Sequence, residues 1–235
     1  LFVTLTAPSF GPVHARRERN GRILPCHPRR HAAPCPHGRT ISCTAQHSAN
    51  EDCLGEPLCP GCYDYTGAVL FNAVAPLLWK RFADALRRHL ATLAGLTLLQ
   101  LREQLIVSFA KVAEFQRRGI VHFHAIVRLD GPGGPATAPP AWATCGLLTR
   151  AVTHAAQAVT VTIPSVAGEP VRVLRWGAQV DARPITLNGE LTDQAVAGYI
   201  AKYATKAAEC VGTLDQRISP TQDLTSLPIR DHARR

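Results

Sequence analysis

Six of the eight cysteines fall between Cys26 and Cys62, mixed with His27, His31, His37 and His47. The surrounding stretch, from about Val13 to Cys62, is rich in Arg and Pro and carries little apolar periodicity. A segment of that composition cannot bury a core of its own, so it needs metal or docking to become ordered. A secreted disulfide framework would not need the histidines and is usually much smaller. Metal binding in a reducing cytoplasm fits better, and a cytoplasmic protein is expected.

Within that stretch Cys59-Pro-Gly-Cys62 is a tight knuckle of the kind that supplies half of a tetrahedral zinc site. Its partners could be any two of Cys26, Cys35, His37, Cys43, His47 and Cys53. Cys35, Cys43, Cys59 and Cys62 are the favoured first site, which leaves Cys26, His37 and His47 as candidates for a second. Zinc here would be structural, and free or redox-active thiols are the plain alternative. Arg16, Arg17, Arg29, Arg30 and Arg39 would then face DNA phosphates or solvent. Cys145 and Cys210 stand alone and are expected to be inert.

The remainder can build a core. Of 235 residues, 46% are hydrophobic, which places the chain among globular proteins. The formal net charge is +9, carried mainly by arginine, and favours a polyanionic partner, with nucleic acid ahead of an anionic membrane. No apolar run reaches the ~18 residues of a membrane span. The best, Ala68 to Trp79, is broken by Pro76. Without methionine, and opening on Leu1 inside an apolar run, the sequence reads as part of a longer protein.

Leu1-Phe-Val-Thr-Leu-Thr6 alternates as a strand does. From about Tyr63 to Arg102 the apolar residues recur at helical steps, with a kink or a helix start expected at Pro76. Two strand candidates, Gln104 to Phe115 and Ile120 to Leu129, flank the turn Gln116-Arg-Arg-Gly119 and predict a hairpin. Asp130 to Pro140 is a loop. A helix over Gly146 to Ala158, strands over Val159 to Ile163 and Val171 to Val180, and a helix from about Thr192 to Glu209 follow. The tail beyond Gly212 reads as irregular.

The hairpin's second strand contains His122-Phe-His124. Residues two apart on a strand share a face, so the two imidazoles stand side by side, a ready divalent-metal site. Glu114 on the preceding strand can reach that face, and two imidazoles with one carboxylate leave positions open for substrate oxygens on Mg²⁺ or Mn²⁺. Two histidines satisfied by hydrogen bonds on a sheet face are the alternative. On the late helix, at ~100° per residue, Tyr199, Lys202, Tyr203 and Lys206 share one face, with alanines opposite. Phenols interleaved with lysines suit phosphate chemistry, because a nearby cation favours the phenolate. Tyrosines covering a helix–sheet seam with snorkelling lysines are the alternative.

The first strand, the Glu114…His122-x-His124 hairpin and the Tyr199-x-x-Lys202-Tyr203 helix, in that order, resemble the HUH endonuclease superfamily. The paired tyrosines are similar to those of rolling-circle initiators of the microvirus gene A type. Leu54-Gly55-x-Pro57-Leu58-Cys59-x-x-Cys62-Tyr-Asp-Tyr65, Trp79-x-Arg81 and Trp176-Gly-Ala-Gln-Val-Asp181 resemble the actinobacterial plasmid replication initiators of the RepSA kind. The resemblance covers nearly the whole chain.

It implies an α+β fold, with a central antiparallel sheet of about five strands, helices on one face and the Cys/His insertion at one side. Residues 1–12 and 63–210 would form the nickase domain, 13–62 the zinc-binding insertion, and 211–235 a tail leading to further sequence. It also implies that His122, His124 and Glu114 hold the metal. Tyr199 or Tyr203 would attack single-stranded or locally melted origin DNA, Lys202 would counter charge, and a 5′-phosphotyrosyl link and a free 3′-hydroxyl would result. Asp181 would stand behind a ligand histidine or end its strand. Host helicase and polymerase would be the partners, with no membrane. A two-tyrosine single-strand transposase and a non-catalytic zinc-ribbon DNA-binding protein are the competing readings. A metallo-β-lactamase-like hydrolase is excluded, because Ala125, Ile126 and Val127 follow where its Asp-His continuation belongs.

Overall fold

The computed structural model describes residues 1–165, 168–185 and 221–235, with Gly198 and Ser219. These residues form two compact units. The first gathers Leu1–Pro8, Leu70–Glu114 and the described residues 121–185. Its sheet has four strands among the described residues, in the order β4-β5-β1-β8. They are β1 (Phe2–Leu5), β4 (Ile106–Phe115), β5 (Val121–Asp130) and β8 (Val180–Arg183). The expected α+β architecture with an antiparallel sheet is present, with four described strands where about five were expected.

β1 lies antiparallel between β5 and β8, and its register sets Thr4 opposite His124 on one side and Asp181 on the other. Because side chains alternate, Val3, Leu5, Phe123, Ala125 and Val127 point to one face, and all five are buried. Helix α1 (Tyr65–Ala94) supplies Leu78, Trp79, Phe82 and Leu86 as further buried residues, and the Trp79 ring meets Phe123 edge-on at 5.8 Å. Full burial of such side chains contributes about 1.5–3 kcal/mol each, so the register of this face is strongly fixed. The opposite face therefore receives Phe2, Thr4, His122 and His124.

The helical pattern expected from Tyr63 to Arg102 is divided in two. Gly95, at φ 69°, ends α1 with its amide on Thr92 O, and the Leu96 amide reaches Ala91 O. That pair of bonds needs a left-handed residue, which glycine supplies without strain. Thr97 and Gln100 then cap α2 (Leu98–Gln104) reciprocally. Pro76 sits inside α1 without ending it. Helix α3 (Cys145–Ala158) stacks His154 on His89 of α1 at 3.7 Å. The strand expected over Val171 to Val180 is also divided. β7 (Arg172–Arg175) pairs with β6 (Thr160–Ile163), and β8 with β1. Between them the Gly177 amide donates to Thr6 O, and a Cβ there would lie 2.7 Å from Ala7 O. That close approach redirects the chain from one ladder to the other.

The second unit gathers Ser9–Val69, Phe115–Ile120 and the described residues 221–235. It contains the small hairpin of β2 (Arg17–Arg19) and β3 (Arg22–Leu24) and isolated bridges between His27 and Cys43 and between Pro34 and Thr40. The end of the chain, expected to be irregular, carries the short helix α4 (Asp231–Arg234). His232 holds it in place: Nε2–H donates to Arg118 O at 3.0 Å, and the Tyr65 hydroxyl donates to Nδ1 at 3.3 Å. Among the described residues no helix is long and apolar enough to cross a membrane.

Candidate metal centre

The turn after β4 fixes the centre's geometry. Gly119 N bonds Gln116 O, Gln116 N bonds Ile120 O, and Gly119 has φ 75°, the pattern of a three-residue loop with a bulged glycine. Counting back from the Gln116–Ile120 pair puts Glu114 opposite His122. His122 Nε2 and His124 Nε2 lie 3.1 Å apart, and each lies 3.1 Å from Glu114 Oε2. Three lone-pair atoms thus form an equilateral triangle on the face turned away from the core. An octahedral ion about 2.1 Å from each ligand sets neighbouring ligands about 3.0 Å apart, so the triangle fits one face of Mg²⁺-like coordination. The opposite three positions remain for oxygen ligands.

The histidine tautomer is set from behind. His124 Nδ1 lies 3.1 Å from the Thr4 hydroxyl oxygen, and Phe2 stacks on the same ring at 5.5 Å. With Nδ1–H donating to Thr4, the Nε2 lone pair faces Glu114 and His122. His122 Nδ1 is buried and has no hydrogen-bond partner among the described residues. Asp181, expected behind a ligand histidine, does not touch one. Thr4 stands between it and His124 in the same cross-strand row, and Arg183 holds the Asp181 carboxylate through two contacts of 2.9 Å. Tyr199, Lys202 and Tyr203 lie outside the described residues.

Among the described residues of the second unit, two groups of four cysteines and histidines converge, and the grouping differs from the favoured first site. Cys35, Cys59 and Cys62 do converge, but their fourth member is His37, whose Nδ1 is 3.3 Å from Cys62 Sγ. Cys43 belongs instead with His14, Cys26 and His47. The reason is backbone pairing: His27 and Cys43 exchange amide–carbonyl bonds of 2.8 and 2.9 Å, which draws Cys43 beside Cys26 and away from the knuckle. Gly61 admits His37, since a Cβ there would lie 2.6 Å from the imidazole. Cys35 Sγ and Cys59 Sγ are 3.6 Å apart, far beyond the ~2.05 Å of a disulfide. Burial works to raise the Cys35 thiol, but the amides of Arg39 and His37 and the Cys59 and Cys62 thiols bring it down to about 6, while burial and the same thiol cluster push Cys62 up to about 11. The group therefore offers a thiolate near neutral pH, the form a metal takes.

A profile for the RepSA replication initiator protein of pSAM2 matches residues 1–235. The chain belongs to the RepSA family. A curated replication initiator protein from Streptomyces ambofaciens is 48% identical over 240 residues, covering all of this chain and 48% of that protein. The RepSA chain thus spans about half the length of that relative. No solved structure matches it.

Three residues of this RepSA chain's sites escape sequence reasoning. Thr4 is one of several alternating strand residues, and only the register reveals it. His14 stands twelve positions before Cys26, a spacing with no motif. Glu51 accepts from His47 Nδ1 at 2.5 Å, and the four-residue step from His47 was its one available signal.

Proposed function

We propose that this chain carries the nicking centre of a plasmid replication initiator, an endonuclease of the HUH type that starts rolling-circle replication. The observation supporting this most directly is the triangle of His122, His124 and Glu114. Family membership favours an initiator over a transposase. Mg²⁺ or Mn²⁺ bound there would polarise the scissile phosphodiester of single-stranded or locally melted origin DNA. The chain's own residues do the rest. Glu114, His122 and His124 hold the cation, and Thr4 keeps His124 in the ligating tautomer. The phenolate oxygen of Tyr199 or Tyr203 attacks phosphorus, and the bond to the 3′ oxygen breaks. That oxygen takes a proton and leaves as a free 3′-hydroxyl for a polymerase, while the 5′ phosphate stays on the tyrosine. Lys202 counters charge on phenolate or phosphate. Two phenols four residues apart in the sequence can serve two successive transfers. Zinc on Cys35, His37, Cys59 and Cys62 orders the second unit. Host helicase and polymerase in the cytoplasm complete the reaction.

Incubating the protein with single-stranded DNA from its replicon's origin and Mn²⁺ should give a covalent adduct in denaturing gels. Absence of both adduct and free 3′ end would sink the proposal. Within that assay, Thr4→Val should raise the Mn²⁺ concentration for half-maximal nicking about tenfold, in line with the 10–100-fold usual for a group behind a metal ligand. Saturating Mn²⁺ should restore the rate, and Thr4→Ser should behave as the parent. An unchanged Mn²⁺ requirement in Thr4→Val would remove Thr4 from the site.

A further inference from the structure

Between Gly11 and Cys53 the only buried residues are Cys26 and His47. A segment whose interior is one thiol and one imidazole is organised around those groups rather than around apolar side chains. Both belong to the second group. We propose that His14, Cys26, Cys43 and His47 form a second zinc site, interleaved with the first so that the two ions stabilise one another.

The donor atoms of His14, Cys26, Cys43 and His47 all lie within 4.8 Å of one another. His14 Nδ1 is 3.2 Å from His47 Nε2, and Cys43 Sγ is 3.4 Å from the same nitrogen. Tetrahedral zinc with bonds of about 2.0–2.1 Å to nitrogen and 2.3 Å to sulfur spaces its ligands about 3.3–3.8 Å apart. The surroundings support this assignment. Glu51 accepts from His47 Nδ1, which leaves the Nε2 lone pair facing the group, the carboxylate–histidine arrangement typical of metal ligands. The Ala15 amide points at Cys26 Sγ from 3.2 Å, a donor suited to a thiolate. Cys53 Sγ lies on the other side of the His47 ring, 3.6 Å from Nδ1, and so is not needed as a ligand.

The ligands alternate along the chain. His14 and Cys26 are followed by Cys35 and His37, then Cys43 and His47, then Cys59 and Cys62. The first and third pairs converge, as do the second and fourth. The loop closed by one ion therefore contains half of the other ion's ligands. Losing either ion frees a loop that the other must then close alone, at a higher entropic cost. The two zincs should bind and leave together.

The test uses the full chain, freshly reduced, with His122→Ala/His124→Ala so that the sheet centre takes up no zinc. Two equivalents of zinc are expected, released by a chelator in a single phase. One equivalent would overturn the second site, and two independent release phases would overturn the interleaving. His14→Ala should lower the zinc content, whereas His14→Cys should keep two equivalents. With cobalt in place of zinc, His14→Cys takes the bound thiolates from five to six, so thiolate-to-cobalt absorption should rise by about a fifth. Unchanged absorption in His14→Cys would exclude His14 as a ligand, whatever the fate of the alanine variant.

Discussion

Replacing His122 and His124 together with alanine is expected to abolish nicking of single-stranded origin DNA, with a loss of at least about a thousandfold. The size follows from what the centre supplies. A cation on the scissile phosphate is worth several kcal/mol of charge stabilisation, and about 4 kcal/mol corresponds to a thousandfold in rate. The loss should not come from unfolding. Both imidazoles sit on the sheet face opposite Phe123, Ala125 and Val127, and the core lies against those three. Circular dichroism and the thermal midpoint should therefore stay close to the parent. Glu114→Gln should reduce nicking less and raise the Mn²⁺ requirement, because an amide oxygen can still coordinate but carries no charge. Retention of parental nicking by the double alanine variant would separate the chemistry from this triangle.

The parts legible in the sequence are those set by local chain geometry. The strand period places His122 beside His124, and the turn ending at Gly119 lets Glu114 be found by counting back along the hairpin. Gly95 was readable as a helix stop by its type, but the leucines beyond it continue the apolar spacing and mask the break. What could not be read depends on pairing between distant segments. Thr4 reaches His124 across a separation of 120 residues, and alternation alone cannot say which strand lies next to β1. Likewise, only the pairing of β1 with β8 shows that Thr4 stands between Asp181 and His124. The zinc ligands show both cases. The knuckle Cys59–Cys62 is local and was legible. The choice between His37 and Cys43 as its partner depended on the bridge between His27 and Cys43, which no spacing encodes. Cys35 with His37, and Cys43 with His47, are visible as short pairs, but which pair joins the knuckle is set by that bridge.

Changing Tyr199 and Tyr203 together to phenylalanine should remove the covalent protein–DNA adduct altogether while leaving Mn²⁺-dependent binding of the same DNA within about twofold. Phenylalanine keeps the ring and its stacking and removes only the oxygen that attacks phosphorus. Each single variant should retain an adduct if the other phenol can substitute. It should fail in the second transfer, seen as loss of rejoined product at unchanged initial cleavage. The alternative nucleophiles can be weighed, because the chain has four tyrosines. The other two are poorly suited. Burial raises the phenols of both Tyr63 and Tyr65, which opposes formation of the attacking phenolate. The Tyr65 oxygen is already tied to His232, and the Tyr63 oxygen is buried with no hydrogen-bond partner among the described residues. An adduct that persists in the double phenylalanine variant, and maps by peptide sequencing to Tyr63, Tyr65 or a serine, would remove Tyr199 and Tyr203 from the mechanism. Loss of the adduct with DNA binding intact would leave those two phenols as the only source of the covalent bond.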